Sequence, residues 1–205
     1  MHKNLSHTFP LLVSILALQI LVSSCVTQAP GQKFKAVPAG HLYEGSYINI
    51  HVPNSEGWRL LESSPDGMGF ARMGEAPKES FGAQVLMFGL EAKKNKDEFV
   101  SFVKQIIKKD GELDRYAIIK STFEYHEQRG YPCVKVTYVT EDKQSQTSPT
   151  RRETLLLQAE SLYCRHPERQ DTGFAIIYSH RGSSLYSNLH SEAQAFIDGV
   201  QVPGH

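Results

Sequence analysis

Residues 133–140, Cys133-Val134-Lys135-Val136-Thr137-Tyr138-Val139-Thr140, decide the fold because a second run of the same character, Leu157-Gln158-Ala159-Glu160-Ser161-Leu162-Tyr163-Cys164, can fold back onto them. Both runs are rich in the β-branched and aromatic residues that favour extended backbone, and the polar tip 141–150 lies between them. Pairing Thr140 with Leu157 puts Cys133 opposite Cys164. Directly opposed residues hold their β-carbons about 4.5 to 5.5 Å apart, which a disulfide needs only slight closure to bridge. The register therefore predicts a Cys133–Cys164 bond, closing a loop of about thirty residues and worth roughly 3.5 kcal/mol through the entropy it removes from the unfolded chain.

Working outward, residues 116–127 and 174–180 read as strands beside this hairpin, whose second arm extends over 152–165. The four segments make an antiparallel run. In the first half, Tyr47-Ile48-Asn49-Ile50-His51-Val52 alternates, with Ile48, Ile50 and Val52 on one side and Asn49 and His51 on the other. Residues 58–61 and 68–73 read as short strands parted by the turn Ser64-Pro65-Asp66-Gly67, and 83–90 reads as a central strand buried on both faces. The spacing of Phe99, Phe102, Val103, Ile106 and Ile107 predicts a helix over 96–109, opened by Asn95 and Glu98 as a capping box and closed by Lys108, Lys109 and Gly111. A second helix over 189–200 aligns Leu189, Ala193, Phe196, Ile197 and Val200, with Asn188 as its N-cap. The expected fold is α+β, one domain over 45–205, with an antiparallel sheet packed by two main helices.

The beginning of the chain reads differently. Leu11 to Val22 is a twelve-residue apolar run, about 18 Å as a helix and too short for roughly 30 Å of hydrocarbon. Lys3, His2 and His7 precede it without any acidic residue, and the small residues Ser23 and Ser24 follow, the order of an export signal with its cleavage site. Val22-Ser23-Ser24-Cys25 resembles the lipobox of bacterial lipoproteins. That resemblance implies a signal peptide over 1–24, a diacylglycerol thioether on Cys25, an acylated amine, and a membrane partner reached through lipid. Each buried methylene contributes about 0.8 kcal/mol, so two or three acyl chains hold a protein stably where one does not. Val26 stands where the family's inner-membrane retention signal has aspartate, which implies the outer membrane, facing the periplasm.

Between residues 25 and 44, Pro30, Gly31, Pro38 and Gly40 sit among polar residues, a composition expected of a flexible tether. With Cys25 carrying lipid, Cys133 and Cys164 remain as an even pair in an exported chain, the usual composition of a disulfide.

The leader holds one of the 22 Lys and Arg residues, leaving 21 against 22 acidic ones, and this balance speaks against nucleic acid, which needs a concentrated basic face. Lys93-Lys94-Asn95-Lys96 and Lys108-Lys109 flank the first helix and read as solvated helix ends.

No constellation names a reaction. There is no Gly-x-Ser-x-Gly elbow and no glycine-rich phosphate loop, and Asp97 and Glu98 occupy a helix first turn where the macrodipole favours them. Cys164 and His166, with His180 on a neighbouring strand, lack the second closely spaced ligand pair of a zinc site, so no metal or cofactor is expected. No catalytic residue is assigned. His180 and Arg181 form a candidate anion-binding patch.

Ile50-His51-Val52-Pro53, Gly57-Trp58 and the element order over 45–200 resemble the PsbP-like fold family. The resemblance implies an antiparallel sheet with helices against its faces, in proteins that act mainly as binding or assembly factors. The expected function is a lipid-anchored binding or assembly factor of the bacterial envelope, its ligand or protein partner unnamed. The rival is an enzyme on an envelope substrate with His126, His166 or His180 as base. Mass spectrometry of the native product is expected to find a chain that begins at an acylated Cys25, and an intact leader or an unacylated terminus would refute this address.

Overall fold

A computed structural model describes residues 34–204, apart from 92–94, 112–115, 144–145, 149–150 and 153. The leader, Cys25 and the first part of the stretch read as a tether lie outside the described residues. Thirteen strands and two helices are described: β1 Lys35–Ala36, β2 Leu42–Tyr43, β3 Asn49–His51, β4 Arg59–Ser64, β5 Gly67–Met73, β6 Ser80–Gly89, α1 Lys96–Gly111, β7 Tyr116–His126, β8 Cys133–Asp142, β9 Gln146–Ser148, β10 Arg151–Arg152, β11 Leu155–Arg165, β12 Thr172–Gly182, α2 Leu189–Asp198 and β13 Val200–Gln201. Eight strands form one antiparallel sheet in the order β1-β4-β5-β6-β12-β11-β8-β7, and β13-β3-β2 form a small second sheet. The α+β class and the antiparallel sheet with two helices are as the sequence predicts.

Period two sorts the side chains of the large sheet onto two cores. Phe174, Ile176 and Tyr178 of β12 join Phe81, Ala83 and Val85 of β6 under α2 and the small sheet. Ala175 and Ile177 of the same strand join Val134 and Val136 of β8 under α1. Phe99, Val103 and Ile107 of α1 recur at four-residue spacing and are almost wholly buried, each contributing about 2 kcal/mol by leaving water. The capping box forms as read: Glu98 N–H donates to Asn95 Oδ1 and Asn95 N–H donates to Glu98 Oε2, both at 3.0 Å.

The hairpin register also forms as read. Leu157 faces Thr140 and Cys164 faces Cys133. The two cysteines are disulfide-bonded with α-carbons 4.1 Å apart, inside the α2-side core.

Three expectations need correction. Ordered structure begins inside the stretch 25–44 assigned to a tether, because Val37 enters the core and its N–H donates to Trp58 O, while Gly40 N–H donates to Val52 O and Val52 N–H to His41 O. Composition did not show that β1 and β2 find backbone partners in later strands. Helix α2 ends at Asp198 rather than 200, since Val200 pairs with Ile50 in the small sheet. Asn188 precedes α2 without a side-chain cap, and Ser191 Oγ donates to its carbonyl instead.

Arg129 fastens the end of α2. It stands in the β7–β8 turn, where Gly130 adopts a positive φ of 80° that a side chain would oppose. Its guanidinium donates to the carbonyls of Ile197, in the last turn of the helix, and Val200, in the strand that follows it. Both edges of the large sheet are irregular or short: β1 is two residues long, and β7 breaks register between Ile118 and Lys120, leaving Ile119 exposed. Replacing Cys133 and Cys164 together by alanine is expected to lower unfolding free energy by about 3.5 kcal/mol, read as a fall in denaturant midpoint.

Candidate functional site

Trp58 starts the site. Gly57 adopts a φ of 89°, a conformation that suits glycine, and turns the chain so that the indole drops into the core against the Tyr178 ring, with centroids 6.0 Å apart. The indole N–H donates to Ser55 Oγ at 2.9 Å, which holds the segment 52–55 over the sheet. Arg72 of β5 lies across the Phe81 ring, its guanidinium carbon 4.0 Å from the centroid, and reaches toward α2.

There it meets Glu192. Glu192 Oε2 accepts from Arg72 Nη2 at 3.3 Å and from the Tyr178 hydroxyl, and Oε1 accepts from the Tyr186 hydroxyl at 2.7 Å. Burial, and then the bond to Glu192, push the Tyr178 phenol far above its ordinary range. Tyr186 is raised as well, chiefly by its bond to the same carboxylate. Both phenols are therefore donors at neutral pH and not proton shuttles. Three donors converge on one carboxylate, an arrangement that suits a hydrogen-bonding role.

Glu192 and Tyr178 line a cleft of about 330 Å³ between α2 and the segment 51–55, whose walls include Val52, Pro53 and Phe196. His51-Val52-Pro53 thus supplies one wall, and Trp58 packs behind it against Tyr178. His51 Nδ1 lies 3.4 Å from Gly40 O, a carbonyl that can only accept, so this nitrogen donates.

The residues singled out by sequence lie elsewhere. His180 is buried and holds Glu79 Oε1 at 2.9 Å, its ring tilted against those of Phe81 and Tyr186; that hydrogen bond holds the Glu79 carboxyl below its usual range. Arg181 points to the opposite face and is buried against Asp142, with Nε at 2.9 Å and Nη2 at 2.8 Å from Oδ2. Both side chains are directed at carboxylates within the protein, and the two alternate faces, so they do not form one anion-binding patch. His166 sits beyond the other end of the β11–β12 ladder, with Nε2 3.3 Å from Tyr47 O. His126 is half-buried at the end of β7, and burial lowers its pKa. Cys164 is bonded to Cys133, which removes the thiol from nucleophilic or metal chemistry. Among the described residues no group of three or more His, Cys, Asp and Glu side chains is placed to hold a metal, and no helix is long and apolar enough to cross a membrane.

Glu192, Arg72 and Tyr186 were missed by sequence reading. The available signal was a single acidic residue four positions before Phe196, at the border of the apolar stripe of α2, and it reads equally well as a helix first-turn carboxylate. The expected consequence of the raised phenol is alkaline sensitivity. Below about pH 10 Tyr178 is neutral in both states and its contribution is complete; above it the unfolded phenol ionises first and each further pH unit costs the fold about 1.4 kcal/mol. Tyr178→Phe is expected to lose about 2 kcal/mol at pH 7 and to flatten this alkaline limb, measured by denaturation across pH.

No family model matches the sequence, and neither does any curated protein. Among solved structures, the chain is similar to the Ran-binding protein Mog1p of Saccharomyces cerevisiae, at 15% identity and a TM-score of 0.44, over 83% of this chain and 95% of that one. A mutant of Protein Mog1 matches at 15% identity and a TM-score of 0.42, over 83% and 96%. A Bacteroides thetaiotaomicron protein matches at 14% identity and 0.35, over 82% of this chain and 50% of the other.

Proposed function

We propose that this chain is a lipid-anchored protein of the bacterial envelope that acts by binding a ligand or partner protein, with the cleft beside α2 as its binding surface. The anchor is Cys25, and the outer membrane facing the periplasm is its address. The observation that carries the binding role is the hydrogen bonding of Glu192: a carboxylate held by Arg72, Tyr178 and Tyr186 and lining a cleft with apolar walls. Such a group orients a ligand by accepting its hydrogen bonds. The placement of His126, His166 and His180, none of which lines this cleft, weighs against the histidine-base enzyme. The lipobox resemblance supports the anchor and the address, and the buried disulfide suits an oxidising compartment. The PsbP-like resemblance, carried by residues that build the cleft wall, supports a binding or assembly role.

A photo-crosslinking residue at Ala195, exposed on the cleft rim, tests this in intact cells against the same residue at Lys104 on α1. The expected result is a discrete adduct from position 195 that position 104 does not give and that Cys25→Ala diminishes. Equal labelling from both positions, or none from 195, would overturn the cleft as the binding surface.

A further inference from the structure

We propose that the cleft takes an alkylammonium or guanidinium group, from a lysine or arginine side chain of a partner or from a free amine; this rests on the cleft being the binding surface. Two features converge on it. Glu192 offers about four lone-pair sites, and three are occupied, one on Oε1 by Tyr186 and two on Oε2 by Tyr178 and Arg72, so Oε1 keeps capacity for a further donor. The last turn of α2 edges the same cleft through Ala195, Phe196 and Gly199, with the partial negative charge of a helix C-terminus and no basic residue in that turn.

Two arginines approach these groups from outside the cleft. Arg72 reaches Glu192 from the side of Phe81 and Trp58 and offsets part of its charge, and Arg129 holds the carbonyls of Ile197 and Val200 from the β7–β8 turn, with Asp198 at 3.9 Å balancing it. Neither lines the cleft. What lines the cleft is the Glu192 carboxylate and the end of α2, beside the walls of Val52, Pro53 and Phe196 that suit an alkyl stem. A carboxylate or phosphate would meet repulsion there, and a neutral hydroxyl would forgo the charge-assisted bond.

The test is a titration of the full mature chain with n-butylammonium, n-butanol and butyrate, followed by NMR shifts of residues around Glu192 and His51. Butylammonium is expected to saturate these shifts at about tenfold lower concentration than butanol, with butyrate weakest. Glu192→Gln is expected to remove that tenfold preference, while Ala195→Trp, at an exposed position that spares the core, blocks all probes. Should butanol bind wild type as well as butylammonium, with Ala195→Trp still blocking, the cleft stands and the cationic preference falls. Should no probe shift these residues, both fall. A lysine-bearing peptide binding tighter than spermidine assigns the cation to a partner's side chain, and the reverse order assigns it to a free amine; either upholds the proposal.

Discussion

Strand β12 is the constraint on which the two cores depend. It pairs over ten residues with β6 on one side and ten with β11 on the other, so its pleat sets the facing of its neighbours. Phe174, Ile176 and Tyr178 go to the α2 side, Ala175 and Ile177 to the α1 side. A slip of one residue would exchange these sets and drive Arg181, paired with Asp142, into the aromatic core. The same facing brings the Tyr178 hydroxyl to Glu192, so fold register and site geometry are one specification.

The disulfide secures that register one strand away. Cys133 and Cys164 join β8 to β11 at the end of their ladder, and both are completely buried. At the far end of β11, Leu155 faces Asp142, and Asp142 is tied to Arg181 of β12. A covalent bond at one end and a buried ion pair at the other leave the central strands little freedom to shift. Breaking that ion pair by removing one partner would leave a buried charge uncompensated, which typically costs 3 to 5 kcal/mol.

Much of this was legible in local pattern. The hairpin and its disulfide follow from strand alternation and one register choice, and α1 follows from five apolar residues at helical spacing with a capping box. The end of α2 was misread because Val200 continues the apolar periodicity while its backbone pairs with Ile50, a partner 150 residues earlier that no local window shows. The candidate site was illegible for the same reason: Arg72 lies 120 residues before Glu192 and meets it, with Tyr178 and Tyr186, only when β5, β12 and α2 stack. His180 and Arg181 attracted notice as adjacent basic side chains, but alternation sends them to opposite faces and to separate carboxylates.

The irregular margins of the large sheet have a consequence for copies of this protein held close together. A long, flat outer strand is a template onto which an identical neighbour can add, and repeated addition leads to fibres. Here one margin is only two residues long, and the other is bent by a bulge at Ile119 followed at once by the charge of Lys120. Neighbours crowded side by side are thus denied a straight row of unpaired amides and carbonyls, which keeps each globule separate without lessening the apolar packing inside it.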